Sequence, residues 1–136
     1  MQGSIPHRQE SWARPRPASF DVLIVDDDID IRETVEEILS SEGFEVLTAR
    51  NGAEALERLR DGLPRLILLD LFMPVMDGAE FRRNQLADPS LASVPTVVIS
   101  AADALEHRVA AMHLTGALEK PLHLDVLMET VERFCS

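Results

Sequence analysis

Three apolar runs in this chain end abruptly in polar residues, and a fourth, shorter run does the same. Val22-Leu23-Ile24-Val25 is followed by Asp26, Asp27 and Asp28; Leu66-Ile67-Leu68-Leu69 by Asp70; Val97-Val98-Ile99 by Ser100; and Ala117-Leu118-Glu119 by Lys120. If the runs are parallel strands of one open sheet, all four ends open onto the crevice where such sheets bind ligands. Asp26, Asp27 and Asp70 converging there would repel one another and raise one another's pKa unless a cation joined them. Mg²⁺ suits such a set, because it takes oxygen ligands and keeps waters or a phosphate oxygen in its shell. No His or Cys accompanies the acids, which disfavours zinc. A lysine and a hydroxyl added to a magnesium–carboxylate site give what phosphoryl transfer uses: cations for the equatorial oxygens and a carboxylate as in-line nucleophile. Lys120 is the only lysine, the other twelve bases being arginine. A compact ammonium can reach an oxyanion as a point charge where a planar guanidinium would not fit.

Each residue alone has a plainer role. A lone Asp after a strand is ordinarily a helix N-cap, and Asp28 or Asp30 is well placed to cap the helix that follows. Ser100 alone would be a turn residue and Lys120 a solvated charge. The ordered conjunction is what points to chemistry.

The elements that must position these residues are legible as an alternation of β-branched runs with stretches of helical period, the pattern of an α/β domain with a parallel sheet. Strands are predicted over Val22–Val25, Glu45–Thr48, Leu66–Leu69, Thr96–Ile99 and Ala117–Glu119. The first, third and fourth are continuously apolar, as strands covered on both faces should be, while the second alternates and suits an edge. Ile31, Val35, Ile38 and Leu39 form a core-facing stripe over a helix predicted at 31–41, with Gly43 as its stop. Further helices are predicted over 53–59, 79–86, 105–114 and 124–134, giving (βα)5.

At 136 residues, 46% of them apolar, the chain has the size and material of one globular domain that needs no disulfide. Residues 1–19 carry three prolines, three arginines and one acid with no apolar period, and are predicted to be a flexible tail that also holds the only tryptophan, Trp12. The remaining residues, 20–136, set ten bases against twenty-three acids, so the expected folded part is strongly acidic. That charge argues against direct nucleic-acid binding and against anionic lipid surfaces. No apolar stretch approaches the ~18 residues of a membrane helix, and no signal-peptide segment opens the chain. A single cysteine, Cys135, suits a reducing compartment, and the cytoplasm is the expected location.

The ordered set resembles a known family. Val25-Asp26-Asp27-Asp28, then Asp70-Leu71-Phe72-Met73-Pro74-Val75-Met76-Asp77-Gly78, then Ser100-Ala101, then Lys120-Pro121 are similar to the receiver domains of bacterial response regulators, over residues 20–136. The resemblance implies a flavodoxin-like doubly wound parallel sheet in the order 2-1-3-4-5, with Asp70 as phosphoacceptor. It further implies Mg²⁺ held by Asp26, Asp27, Asp70 and the Phe72 backbone carbonyl, Ser100 as the hydroxyl that contacts the phosphoryl group, and Lys120 as its ion-pairing base. A cis Lys120–Pro121 bond that aims the ammonium inward and a turn at Gly78 belong to the same pattern. The implied donor is a sensor histidine kinase or a histidine phosphotransfer protein.

Two positions depart from the pattern. Ala117 stands where the family usually has an aromatic residue that moves with the hydroxyl on phosphorylation, and His113-Leu114 replaces small residues. Both fall on the face that the family uses for output. In the family, the positions two beyond the acceptor and the hydroxyl border the path of the hydrolytic water; here they are the apolar Phe72 and Ala102, so the resemblance implies slow self-dephosphorylation. The chain ends soon after the fifth predicted helix, which reads as a stand-alone regulator or shuttle acting on a downstream protein, or as a piece of a longer protein. The other readings are a receiver-like interaction module that works without phosphorylation, and an aspartyl-phosphate phosphatase. The phosphatase would need a second acid where Phe72 stands.

Overall fold

The computed structural model describes residues 18–101 and 112–135. Most of the predicted tail, with Trp12, lies outside them, as do Ala102 and most of the helix predicted over 105–114. The described chain runs β1 (Ala18–Val25), α1 (Ile29–Ser41), β2 (Val46–Ala49), α2 (Gly52–Asp61), β3 (Leu63–Asp70), α3 (Gly78–Ala87), β4 (Thr96–Ser100), β5 (Gly116–Glu119) and α4 (Leu124–Cys135). The five strands form one sheet in the order β2-β1-β3-β4-β5, and every pairing is parallel. The flavodoxin-like order is therefore present, with β2, the alternating run, on an edge.

The central strands read as unbroken apolar runs because both faces are covered. Val22, Ile24, Leu66, Leu68, Val97 and Ile99 point to one side and pack with Val35 and Leu39 of α1 and Leu127 and Val131 of α4. Leu23, Val25, Ile67, Leu69 and Val98 point to the other and pack with Ala55 and Leu59 of α2 and Phe81 of α3. Alternation along each strand thus feeds two cores, each fully buried leucine or valine contributing about 1.5 to 3 kcal/mol. The helix ends follow local chemistry. The Asp28 carboxylate caps α1 by accepting from the N–H groups of Asp30 and Ile31, and Asn51 and Asp77 do the same for α2 and α3. Gly43, at φ 93°, ends α1 by turning into the left-handed region, while the Phe44 N–H returns to the Leu39 carbonyl.

The strands run longer than the sequence periods suggest. β1 begins at Ala18, inside the stretch predicted to be tail, because Ala18 and Phe20 pair with Leu63 and Pro64 across an irregularity in register. β3 correspondingly begins at Leu63 and passes through Pro64, a residue that normally argues against an interior strand. It is tolerated because β3 meets β4 only from Ile67 onward, so its first residues have one unpaired side.

One feature of α3 has no counterpart in the sequence periods. Arg82 and Gln85 are buried, and the Arg82 guanidinium donates to four neutral acceptors: the carbonyls of Met112 and His113 at 3.0 and 2.5 Å, Gln85 Oε1 at 2.7 Å and Thr96 Oγ1 at 3.1 Å. Gln85 in turn donates to the Leu91 and Val94 carbonyls. This network ties α3 to the start of β4 and to the turn before β5, where His113 adopts φ 51°. Burial lowers the Arg82 pKa. Replacing Arg82 with Met strands several buried acceptors, and urea unfolding should show a loss of about 2 to 4 kcal/mol; a loss below about 0.5 kcal/mol would show that the network is not structural.

Candidate functional site

Three carboxylates meet at the carboxyl end of the sheet. One oxygen from each of Asp26, Asp27 and Asp70 lies within 4.8 Å of the others. β1 and β3 are neighbours, so the residue following β1 and the last residue of β3 are brought side by side by register rather than by sequence proximity. Asp26 and Asp70 are 2% and 5% exposed, whereas Asp27 faces solvent. The crevice is therefore closed at its floor and open at its rim.

Asp26 is held from all sides. Its N–H donates to the Ala49 carbonyl of β2 at 3.1 Å, its Oδ1 accepts the Asp28 N–H at 2.9 Å, and its carbonyl accepts from Arg32 Nη1 at 2.7 Å. Lys120 reaches in from the loop after β5, with Nζ 3.4 Å from Asp26 Oδ2 and 3.5 Å from Asp70 Oδ1. Its backbone N–H donates to the Ser100 carbonyl at 2.9 Å, and the Lys120–Pro121 bond is cis, as the sequence pattern implied. Ser100, buried as the last residue of β4, opens on the same end.

The loop between β3 and α3 forms the remaining wall. Gly78 packs so closely on β3 that a Cβ there would collide with the Asp70 carbonyl, and its N–H donates to the Leu71 carbonyl at 2.9 Å. Val75, 82% exposed, has φ 70° while the Met76 N–H bonds the Pro74 carbonyl at 2.8 Å, a γ-turn of the strained hand on a β-branched residue. The Met76 carbonyl is pinned by the Gly52 N–H at 3.0 Å. Phe72 is 52% exposed, and it shares an open depression with Asp27, Met73, Pro74 and Asp77. Sequence reasoning anticipated Asp26, Asp27, Asp70, Ser100 and Lys120 but missed Arg32 and the strain at Val75. Neither carries a motif: Arg32 is an ordinary helix-surface arginine until the fold turns it toward Asp26.

The charges are unbalanced. Burial, then the Asp26 charge, pushes the Asp70 pKa up to about 6, partly offset by Lys120. Burial works against the Lys120 ammonium, but Asp26 and Asp70 outweigh it and hold its pKa above the ordinary range. Three carboxylates against one ammonium leave a residual charge that a divalent cation would cancel, and the all-oxygen donor set around an open rim fits Mg²⁺. Because the folded-state pKa of Asp70 exceeds its unfolded value, this group favours folding at low pH, and that contribution is lost as pH rises from about 4 through about 6. Asp70→Asn should therefore stabilise the metal-free protein at pH 7 by about 1 to 2 kcal/mol, the full shift being discounted for screening at the open mouth. Urea unfolding at several pH values checks this; an advantage that failed to shrink toward pH 4 would contradict it.

The geometry agrees with comparisons to known proteins. A family model described as the response regulator receiver domain matches residues 22–132. The transcriptional regulatory protein PrrA of Mycobacterium tuberculosis is 40% identical over 112 residues, covering 82% of this chain and 47% of that protein, so this chain spans about half of PrrA's length. The chemotaxis protein CheY4 of Vibrio cholerae superposes with a TM-score of 0.77 at 33% identity, over 86% of this chain and 99% of that one. The response regulator TrrA of Thermotoga maritima, solved in complex with Mg²⁺-BeF, gives a TM-score of 0.74 at 29% identity over 85% and 98% of the two chains. Since the match runs from β1 into α4 and takes in every element that carries the carboxylate crevice, this chain belongs to the response regulator receiver domains of two-component signalling.

Proposed function

We propose that Asp70 accepts a phosphoryl group from a phosphohistidine on a sensor histidine kinase or histidine phosphotransfer protein. The observation that carries this reading is a nearly buried Asp70 whose charge is poorly compensated, with Lys120 3.5 Å away and two further acids beside it. An Asp70 carboxylate oxygen attacks phosphorus, the P–O bond forms as the P–N bond breaks, and the donor imidazole leaves and takes up a proton. Asp26, Asp27, Asp70 and the Phe72 carbonyl would hold Mg²⁺, which when bound supplies positive charge to the phosphoryl oxygens. Lys120 pairs with the phosphoryl oxygens and the Ser100 hydroxyl donates to one of them. The modified carboxylate gains negative charge in a crevice already rich in it, and this imbalance drives the change that a downstream protein reads.

Ala117 is exposed on β5 and has no ring to bury, so output does not run through an aromatic switch at that position. The same feature favours the second reading, an interaction module that works without phosphorylation. Intact-mass measurement after incubation with acetyl phosphate separates the two. Wild type should gain one phosphoryl group only with Mg²⁺, and Asp70→Asn should gain none; absence of labelling in wild type would support the second reading. The apolar Phe72 cannot orient an attacking water, so the phosphoryl group should be long-lived, and Phe72→Asn should shorten its half-life about five-fold, about 1 kcal/mol of barrier. An unchanged half-life would remove Phe72 from that role.

A further inference from the structure

We infer that Arg32 is a positioning residue for the metal site: its bond to the Asp26 carbonyl fixes the Asp26–Asp27 peptide and thereby presents the Asp27 carboxylate to Mg²⁺. This inference rests on the reading of the acid cluster as a magnesium site. Arg32 lies in the first turn of α1, and helical side chains lean toward the N-terminus of their helix, here toward the end of β1. Its Nη1 reaches the Asp26 carbonyl at 2.7 Å, a short charge-assisted bond, while its own N–H donates to the Asp28 carbonyl at 3.0 Å.

The location of that carbonyl gives the bond its consequence. The N–H side of Asp26 is fixed by Ala49 in β2, and its carboxylate is divided between the Asp28 N–H and Lys120. The carbonyl belongs to the peptide that leads into Asp27, which has left the sheet and is exposed. With both ends of Asp26 tied, rotation of that peptide is blocked, and the exposed Asp27 keeps one carboxylate oxygen within 4.8 Å of oxygens of Asp26 and Asp70. Losing the bond would free the peptide plane and leave the two apolar cores untouched. Arg32 touches the backbone of one acid and acts on the metal only through it.

The test is Mg²⁺ titration of the full chain by calorimetry, alongside thermal unfolding without metal. Arg32→Met should weaken Mg²⁺ binding about five- to ten-fold, the worth of one such bond, while the metal-free melting temperature stays within about 2 °C of wild type. Arg32→Lys, which keeps a charged donor on a flexible stem, should recover much of the affinity. Equal Mg²⁺ affinity in wild type and Arg32→Met would overturn the inference and leave the magnesium reading intact. A lower metal-free melting temperature in Arg32→Met, with Lys giving no recovery, would assign Arg32 a general structural role and also overturn it. Failure of wild type to bind Mg²⁺ would overturn the site reading itself.

Discussion

Asp26 and Asp70 are almost out of water and share a single ammonium, and the structure around them is organised to keep that arrangement from relaxing. Two carboxylates in a low-dielectric floor repel strongly, and a flexible backbone would let them part. Here they cannot, because each continues a central strand whose own preceding residues, Val22–Val25 and Leu66–Leu69, are buried on both faces. Lys120, tied to β4 through its backbone N–H, offsets part of the repulsion but not all of it.

Strain gathers near this imbalance and is held by packing from elsewhere. Val75 occupies a backbone region that disfavours a branched side chain, and Gly78 presses its backbone against the Asp70 carbonyl. Such conformations persist only where the surroundings over-determine them, and here Gly52, the Asp77 cap and the Phe81 core supply that constraint. The unbalanced charge and the strained wall therefore lie side by side at the same end of the sheet.

On the far side of α3, the Arg82 network serves stability rather than chemistry. It fixes the turn before β5 through two carbonyls, one belonging to His113, whose φ of 51° is unusual for a residue other than glycine. His113 and Ala117 therefore differ in kind. The backbone geometry at His113 is supported by a buried cation, whereas Ala117 is simply an exposed small residue on β5.

The alternation of elements, the edge character of β2, an acidic N-cap at Asp28 or Asp30, the stop at Gly43 and the identity of the acids, hydroxyl and lysine at the strand ends were all legible in the residue order. These are local matters: hydrophobic period, turn chemistry and the residue that follows an apolar run. That Pro64 lies within a strand depends instead on long-range pairing, because the unpaired side that tolerates it is set by where β4 begins. Tertiary structure alone turned Arg82 inward to carbonyls some thirty residues away in the chain, and aimed Arg32 at the Asp26 carbonyl. Long polar side chains give no periodic signal of their own, since the same arginine can lie in water or cap a backbone group. Which it does depends on acceptors that the fold brings to it from distant parts of the chain.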